Sequence, residues 1–520
     1  MWPSLPYKGL RYYEASDRAL FAGRDDDVWH CAYLLDRNST RLLILHGGTA
    51  CGKSSFLRAG LIPFLETEAV GFQFLKTGEG RDVTALFIRS TDKPLFKLSE
   101  SLYSLASQGF PINTPRGPRR LNLSSALFRK KEFPSFQEAV ASDPALLIKV
   151  LHRIAGILPK TLVLVIDQAE EVLTLSHKYE GEKFRRDFFD LLSLFSQEKF
   201  DLKILLSIRT EFYGRLLDMI RRHKADIARI RDYMLGDLTR EQLIEAITRP
   251  TSTDLRQEII RGDGQPRKYY RFFYEPNLVE KITDDLLNTP LVGGILPVMQ
   301  LFCDRLYKTI KEKPLSGEYR IVKERDYREL GSIEWQIDAY LEGVINSYCE
   351  EKIPKVRAVE DTNQEAVRLD NFLFKPQEPD EVKQEIGRWK DLLSDLTKLQ
   401  VDGSVTTDLR SSDELIGRAQ QLGCRIDFQQ MMDYLSNDRQ GIIRQVEVIN
   451  LETKKPVLCF SLGHEAIGLV LQRWKAARQN LETRVVSLQK VYRHVGFLSL
   501  REAILDDVSR KFRRHSSSTS

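Results

Sequence analysis

The sequence predicts an α/β fold in which a buried parallel sheet comes first and helical regions follow. Two observations support this prediction. Short, continuous aliphatic runs alternate with helix-like segments early in the chain, as in strands that are covered on both faces. After about residue 215 the strand signal fades, and apolar residues recur at helical spacing instead.

The strand signal is carried by residues 41–46 (RLLILH), 161–166 (TLVLVI) and 202–208 (LKILLSI). Residues 84–88 are a fourth candidate strand. Between these runs, residues 139–155 and 184–195 have the apolar spacing of helices. The alternation of strand and helix favours an α/β domain that ends near residue 220.

The rest of the chain is predicted to be mainly helical. Helical spacing recurs over residues 240–248, 278–287 and 298–310. Residues 444–450 and 457–462 read as a hairpin, and a hairpin among helices suits a winged-helix-like domain. The predicted domains are 1–220 (core), 221–315 (helical), 316–478 (winged-helix-like, with a polar linker at about 353–383) and 479–520 (a helix with a disordered basic, Ser-rich tail).

Composition excludes several classes of protein. The 520 residues include 78 Lys and Arg against 73 Asp and Glu, so charge is nearly balanced and nucleic-acid binding is not favoured. The six cysteines form no C-x-x-C pair, which argues against a zinc site or a disulfide framework. Neither a signal peptide nor a membrane-length apolar run is evident. We therefore expect a soluble, cytoplasmic protein.

A phosphate-binding motif follows the first predicted strand. The motif G-x-x-x-x-G-K-[ST] is matched by Gly47, Gly48, Thr49, Ala50, Cys51, Gly52, Lys53 and Ser54. Glycines let successive backbone N–H groups point at phosphate oxygens, and the helix that begins near Ser55 adds partial positive charge. Lys53 can reach the outer phosphates, and the Ser54 hydroxyl can bind Mg²⁺. This pattern predicts an ATP-binding P-loop protein.

Acidic residues follow the second buried strand, where a P-loop protein needs a metal-side carboxylate. Asp167 ends the apolar run and is the expected Mg²⁺-side residue. Glu170 and Glu171 come next; one of them activates the attacking water, or both only begin a helix. Arg209 ends the third strand and either senses the γ-phosphate or forms an ion pair with Glu211 or Asp167.

These residues resemble the novel STAND NTPases, an AAA-like class of signal-transduction ATPases that includes bacterial antiviral sensors. The resemblance covers roughly residues 5–310 and is thinner beyond. It rests on residues 6–10 (PYKGL), 21–24 (FAGR), 58–63 (RAGLIP), 167–171 (DQAEE), 209–213 (RTEFY), 237–241 (DLTRE), 246–250 (AITRP) and 294–300 (GILPVMQ). Residues 464–467 (HEAI) with Trp474 are similar to the family's winged-helix region.

The resemblance implies further site residues. Gly23 and Arg24 would lie near the adenine, and Pro297 of the helical lid would pack beside the base. His464 would contact the diphosphate and hold a closed form; the alternative is a histidine bonded to backbone at a helix start. The expected cofactor-binding set also includes Ser55.

The resemblance also implies a function. ADP would hold the lid and winged helix closed. A trigger would open them, ATP would replace ADP, and the subunits would assemble into a homo-oligomer. Hydrolysis would be slow, and bacterial defence is one setting. Because the family-like segment begins near residue 1, effector and sensor would be separate proteins, or the chain is shortened. Two alternatives stay open: a P-loop ATPase acting on nucleic acid, as a loader or transposition regulator does, and a nucleotide-binding scaffold without catalysis.

Overall fold

The computed structural model describes most of the chain up to residue 478. The described residues are 3–69, 71–74, 76–77, 84–85, 87–88, 102, 110–114, 117–121, 145–157, 160–174, 181–197, 202–251, 270–289, 294–314, 319–331, 333–353, 381–399, 405–437, 440–449, 456–464 and 466–478. The predicted tail at 479–520 and most of the predicted linker at 353–383 lie outside them.

The strands are β1 Leu42–Gly47, β2 Phe72–Phe74, β3 Lys76–Thr77, β4 Thr84–Ala85, β5 Phe87–Ile88, β6 Phe110–Thr114, β7 Gly117–Leu121, β8 Thr161–Ile166, β9 Leu202–Arg209, β10 Ile230–Met234, β11 Phe272–Tyr274, β12 Arg320–Val322, β13 Thr397–Leu399, β14 Val405–Thr407, β15 Arg410–Ser411, β16 Ile443–Ile449 and β17 Pro456–Leu462. The helices are α1 Asp25–Asp36, α2 Lys53–Ser55, α3 Ile62–Thr67, α4 Ala145–Ile157, α5 Glu170–Thr174, α6 Gly181–Gln197, α7 Thr210–Arg222, α8 Arg240–Thr248, α9 Leu278–Asn288, α10 Ile295–Lys311, α11 Glu324–Glu329, α12 Gln336–Lys352, α13 Glu381–Ser394, α14 Ser412–Leu422, α15 Phe428–Ser436 and α16 over 466–478. A π-helical turn, Phe56–Leu61, joins α2 to α3.

The main sheet is parallel and has the strand order β10-β1-β9-β8-β2, with β5 paired to the end of β8. The predicted strands at 41–46, 161–166 and 202–208 are confirmed as β1, β8 and β9, and part of 84–88 is confirmed as β5. The edge strand β10 was not predicted. Only its first residue, Ile230, is buried, and half-buried and exposed residues alternate after it, so it lacks a continuous apolar run. It carries the sheet beyond residue 220, where the core was expected to end.

Both faces of the sheet are covered by helices, as a parallel sheet requires. One apolar core joins α4, α6 and α7 to one face. Another joins α1 and the helical run 53–67 to the opposite face. The structure is therefore an α/β P-loop NTPase fold, as the sequence predicted.

The later elements are mainly helical, and the helix predicted over 240–248 has those bounds as α8. The predicted hairpin is confirmed, because β16 and β17 pair antiparallel from Ile443–Leu462 to Ile449–Pro456. A single apolar core runs from the N-terminal segment (residues 3–24) through α8–α12 into the C-terminal segment (residues 381–478). None of the helices in the described part of the chain has both the length and the apolar character that a membrane span requires.

Candidate functional site

The glycine-rich loop (residues 47–54) joins β1 to α2 at the edge where the parallel strands end. The strand β1 is buried along its full length, which fixes where the loop begins. Gly52 precedes α2 with a φ of 91°, in the left-handed region that favours glycine. A Cβ there would lie 3.0 Å from Leu296 Cδ1 of α10. Backbone conformation and close packing thus both favour glycine at this residue.

A buried cation sits inside the loop. Lys53 Nζ donates hydrogen bonds to Gly47 O at 3.1 Å and to Gly48 O at 2.8 Å. Cys51 lies beside it, and burial raises the pKa of the Cys51 thiol, so the sulfur stays neutral. A fixed ammonium and the N-terminus of the helical run 53–67 converge here, and both attract an anion such as phosphate.

Asp167, at the end of β8, meets the loop through Ser54. The Ser54 hydroxyl donates to Asp167 Oδ2 at 2.9 Å, and Asp167 is fully buried. Its other oxygen, Oδ1, accepts from the Ser207 hydroxyl and from Gln168 N at 3.1 Å. A hydroxyl and a carboxylate are the oxygen donors that Mg²⁺ prefers, so the residues present fit a magnesium ion.

The two glutamates of α5 face different surroundings. Glu170 lines the pocket beside Asp167, and its Oε2 accepts from Arg209 N at 3.2 Å. Glu171 does not line the pocket. Its Oε1 lies 2.5 Å from Nη2 of Arg444 on β16, and these two side chains are 11% and 17% exposed. The geometry therefore distinguishes Glu170, which lines the pocket, from Glu171, which pairs with Arg444, whereas the sequence left both as candidates.

Arg209 ends β9 and is buried, but its side chain is directed away from the pocket. Nη1 donates to Val405 O at 3.3 Å, and Nη2 lies 3.5 Å from Glu211 Oε1. Its guanidinium also lies over the Phe212 ring, 5.6 Å from the centroid. The ion pair to Glu211 is one of the two alternatives that the sequence left open. Val405 and Arg444 both belong to the C-terminal segment, which therefore contacts both strand tips (residues 167–171 and 207–209).

The N-terminal segment forms one wall of the pocket. Arg24 is buried, and its Nη2 donates to Cys51 O at 3.1 Å and Gly236 O at 2.8 Å, so it supports the glycine-rich loop. Gly23 does not line the pocket. Its φ is 78°, and a Cβ there would lie 2.7 Å from Gln242 O of α8. Gly23 thus serves close packing between the N-terminal segment and α8.

The helix α10 forms the opposite wall. Pro297 is buried and lines the pocket. Gln300, one turn further on, accepts at Oε1 from Lys8 N at 3.0 Å and from the Tyr13 hydroxyl at 3.1 Å. Burial raises the pKa of the Tyr13 phenol, so it stays protonated and can donate this bond. Tyr13 N in turn donates to Ser55 Oγ at 3.1 Å, so the N-terminal segment joins α10 to the helix behind the loop.

His464 closes the pocket from the C-terminal segment. Its Nδ1 accepts from Ala466 N at 3.1 Å, so the neutral ring carries its proton on Nε2. The Tyr12 ring stacks on it at 6.2 Å between centroids, and the Tyr12 hydroxyl donates to Gly463 O at 3.0 Å. Both sequence alternatives for His464 are therefore compatible with its position: it is bonded to backbone at a helix start, and it faces the pocket.

A comparison with protein families decides what kind of protein this is. A family model described as Novel STAND NTPase 1 matches residues 6–360, which is more than half of the chain. The chain belongs to this family. Membership makes the protein a nucleotide-binding P-loop ATPase, as its sheet and its glycine-rich loop indicate.

Other comparisons add little about this STAND NTPase. No curated protein matches it. Among solved structures, the Walker-type ATPase PABY2304 of Pyrococcus abyssi matches with a TM-score of 0.37 and 13% identity, covering 89% of this chain and 99% of that chain. The ORC2 protein of Aeropyrum pernix matches in its ADPNP–ADP and ADP forms with a TM-score of 0.36 and 11% identity, covering 88% of this chain and 95% of that chain. Likeness at this level carries no argument about function.

The pocket of this STAND NTPase contains most of the predicted site residues. Those that line it are Arg24, Ala50, Cys51, Gly52, Lys53, Ser54, Ser55, Asp167, Glu170, Pro297 and His464. Those outside its lining are Gly23, Gly47, Gly48, Thr49, Glu171 and Arg209. Sequence reasoning missed Tyr12, Tyr13, Gln300 and the apolar lining residues Leu20, Phe21, Leu238 and Met299. The family motifs that contain Phe21, Leu238, Met299 and Gln300 were a usable signal for those four.

Proposed function

We propose that this STAND NTPase binds ATP and ADP with Mg²⁺ in the pocket and works as a slow, nucleotide-dependent conformational switch. One observation carries the proposal: four separate parts of the described chain contribute walls of the same pocket. The glycine-rich loop with the strand tip after β8, the N-terminal segment, α10 and His464 all line it. A ligand held by all of these parts binds the closed arrangement better than an open one, and that difference is what shifts a two-state equilibrium.

The phosphates would lie along the glycine-rich loop. Lys53 would exchange its bonds to loop carbonyls for phosphate oxygens, and the backbone N–H groups of the loop would donate alongside it. Ser54 and Asp167 would hold Mg²⁺, which neutralises phosphate charge when bound. The base would lie between the N-terminal segment and α10, where Phe21 and Pro297 offer apolar surface.

Glu170 is the better candidate for the residue that activates water, because it faces the pocket beside Asp167. A buried carboxylate at this position can accept a proton from the attacking water. Glu171 instead holds the C-terminal segment through Arg444. In this arrangement Arg209 is held by Val405 and Glu211, so stabilisation of a γ-phosphate by Arg209 would require the C-terminal segment to move. This requirement supports slow hydrolysis in the closed form.

The switch would act through partners. Opening would expose surfaces of the C-terminal segment for assembly into a homo-oligomer, and a separate effector or sensor protein would read that state. Bacterial defence belongs to this proposal through the family resemblance alone, whereas a cytoplasmic location rests on the cysteine pattern of the sequence.

The first experiment identifies the nucleotide that the purified protein releases on denaturation, by chromatography, and then measures ADP and ATP affinity by calorimetry. ADP release is expected from a closed resting form.

Lys53→Ala should weaken ADP and ATP binding at least about tenfold, because it removes a charge-assisted phosphate contact. The control is Lys281→Ala, which breaks a partly exposed ion pair with Glu324 away from the pocket. If both variants bind ADP like wild type, the pocket assignment is wrong.

A further inference from the structure

Ser207 breaks the apolar pattern of β9. Every residue of this strand is buried, and a buried hydroxyl costs free energy unless it is hydrogen-bonded. The neighbours Leu206 and Ile208 belong to the core on one face of the sheet, whereas Leu205 belongs to the core on the other face. Because strand residues alternate, Ser207 shares the face of Leu205, which is the face covered by the helix that follows the glycine-rich loop.

The register of the sheet places this hydroxyl beside Asp167. Ile166 of β8 pairs with Leu206 of β9 in parallel register. The residues that follow them, Asp167 and Ser207, therefore also lie side by side. The result is a hydrogen bond between Ser207 Oγ and Asp167 Oδ1, with both residues fully buried.

The direction of this hydrogen bond follows from its other partner. Ser207 Oγ lies 3.1 Å from Gln168 N, which can only donate. The hydroxyl proton is therefore free to point at the carboxylate, which only accepts when ionised. Ser207 also accepts with its backbone carbonyl from Ala169 N at 2.9 Å. One residue thus holds the turn after β8 at two points, and Gln168 in this turn has a left-handed φ of 57°.

We propose that Ser207 is a positioning residue that orients the Asp167 carboxylate for the metal ion. With Oδ1 held by Ser207, Oδ2 is turned toward Ser54, and this pair of oxygens forms the magnesium side of the pocket. The inference rests on the proposed function, since it assumes that Mg²⁺ and nucleotide bind here. Second-layer partners that orient a metal ligand typically change metal affinity by about 10- to 100-fold when they are removed.

The test measures metal binding directly, without catalysis. Mn²⁺ replaces Mg²⁺, and electron paramagnetic resonance follows the free ion as it is titrated into the protein with ADP. Ser207→Ala should weaken Mn²⁺ binding about tenfold or more. Its ADP affinity in EDTA and its melting temperature should stay close to those of the control. Ser207→Thr, which keeps the hydroxyl, should retain Mn²⁺ affinity.

The matched control is Ser196→Ala. Ser196 is also a buried serine whose hydroxyl bonds to backbone, donating to Ser193 O at 2.7 Å and accepting from Asp226 N at 2.8 Å, and it does not line the pocket. The Ser196→Ala variant therefore shows how the loss of a buried hydroxyl changes the melting temperature when the metal site is not involved. If Ser207→Ala does not fold, Ser207→Cys keeps the side-chain volume with only a weak donor, and the same loss of Mn²⁺ affinity is expected.

The outcomes separate this inference from the function it rests on. Equal Mn²⁺ affinity in Ser207→Ala and Ser196→Ala overturns the positioning role. A parallel loss of metal-free ADP affinity and melting temperature in Ser207→Ala also overturns it, because the hydroxyl is then purely structural. Wild-type protein that binds no ADP overturns the proposed function itself, and the inference falls with it.

Discussion

Replacing Arg444 by glutamate should loosen the C-terminal segment from the strand tips. The Arg444 guanidinium reaches Glu171 across the boundary between β16 and α5, at 2.5 Å. The substitution removes this ion pair and places two carboxylates at the same point. Because Val405 holds Arg209 nearby, the C-terminal segment then keeps only one of these two contacts with the strand tips.

The magnitude follows from the burial of the pair. Exposed ion pairs contribute about 0–1 kcal/mol, and breaking a fully buried pair costs about 3–5 kcal/mol. With side chains 17% and 11% exposed, this pair lies between those limits. A cost of about 2 kcal/mol corresponds to about a 30-fold shift toward an open form. ADP should leave faster by a comparable factor if opening precedes its release.

The assay is release of a fluorescent ADP analogue by stopped flow, with hydrogen exchange of β16 and β17 as a second readout. The control is Arg418→Glu, whose ion pair with Asp395 lies within the C-terminal segment. Combining Arg444→Glu with Glu171→Arg restores opposite charges and should slow release again. Equal release rates in Arg444→Glu and Arg418→Glu, or no recovery in the double variant, would refute the reasoning.

Two further predictions concern the packing at Gly23 and the roles of the two glutamates of α5. Gly23→Ala should destabilise the protein by about 2 kcal/mol or more in urea unfolding, because its φ is positive and the new Cβ meets Gln242 O. The control is Gly343→Ala, in a helix where a Cβ would meet open space, and it should instead stabilise the protein by about 0.5–1 kcal/mol. If both substitutions change the free energy of unfolding equally, the packing role of Gly23 is wrong. Glu170→Gln should lower single-turnover hydrolysis about 100-fold or more with nucleotide binding retained. Glu171→Gln should reduce it far less, and the reverse order would exchange their roles.

The central strands could be predicted because burial on both faces leaves a simple sequence signal. The strands β1, β8 and β9 are nearly continuous aliphatic runs, and each is followed by the polar residues of the site. The edge strand β10 could not be predicted in this way. Strand β10 pairs with β1 on one side and has no strand of the described sheet on the other, so charged residues such as Arg231 and Asp232 are tolerated there. Its sequence therefore lacks a continuous apolar run.

The site was less predictable where it depends on side-chain direction or distant segments. Consecutive helix residues point about 100° apart, so only the orientation of α5 shows that Glu170 faces the pocket. Tyr13 and Gln300 meet across a large separation in sequence, which local patterns do not encode. The sequence left open whether Arg209 senses a phosphate or pairs with Glu211 or Asp167. The structure shows the Glu211 pair together with a bond to Val405 of the C-terminal segment, a contact that strand periodicity cannot reveal.

The long reach of the N-terminal segment has a consequence for how the protein is made. Tyr12 bonds to Gly463, 451 residues further along the chain. At about 5–20 residues per second, a ribosome needs about 20–90 seconds to synthesise that interval. During this time Tyr7, Leu10 and Tyr13 lack part of the surface that covers them in the folded protein, where all three are buried. The N-terminal segment should therefore need chaperone protection for longer than a segment that packs against its sequence neighbours, and the pocket lacks one of its walls until residue 464 has been synthesised.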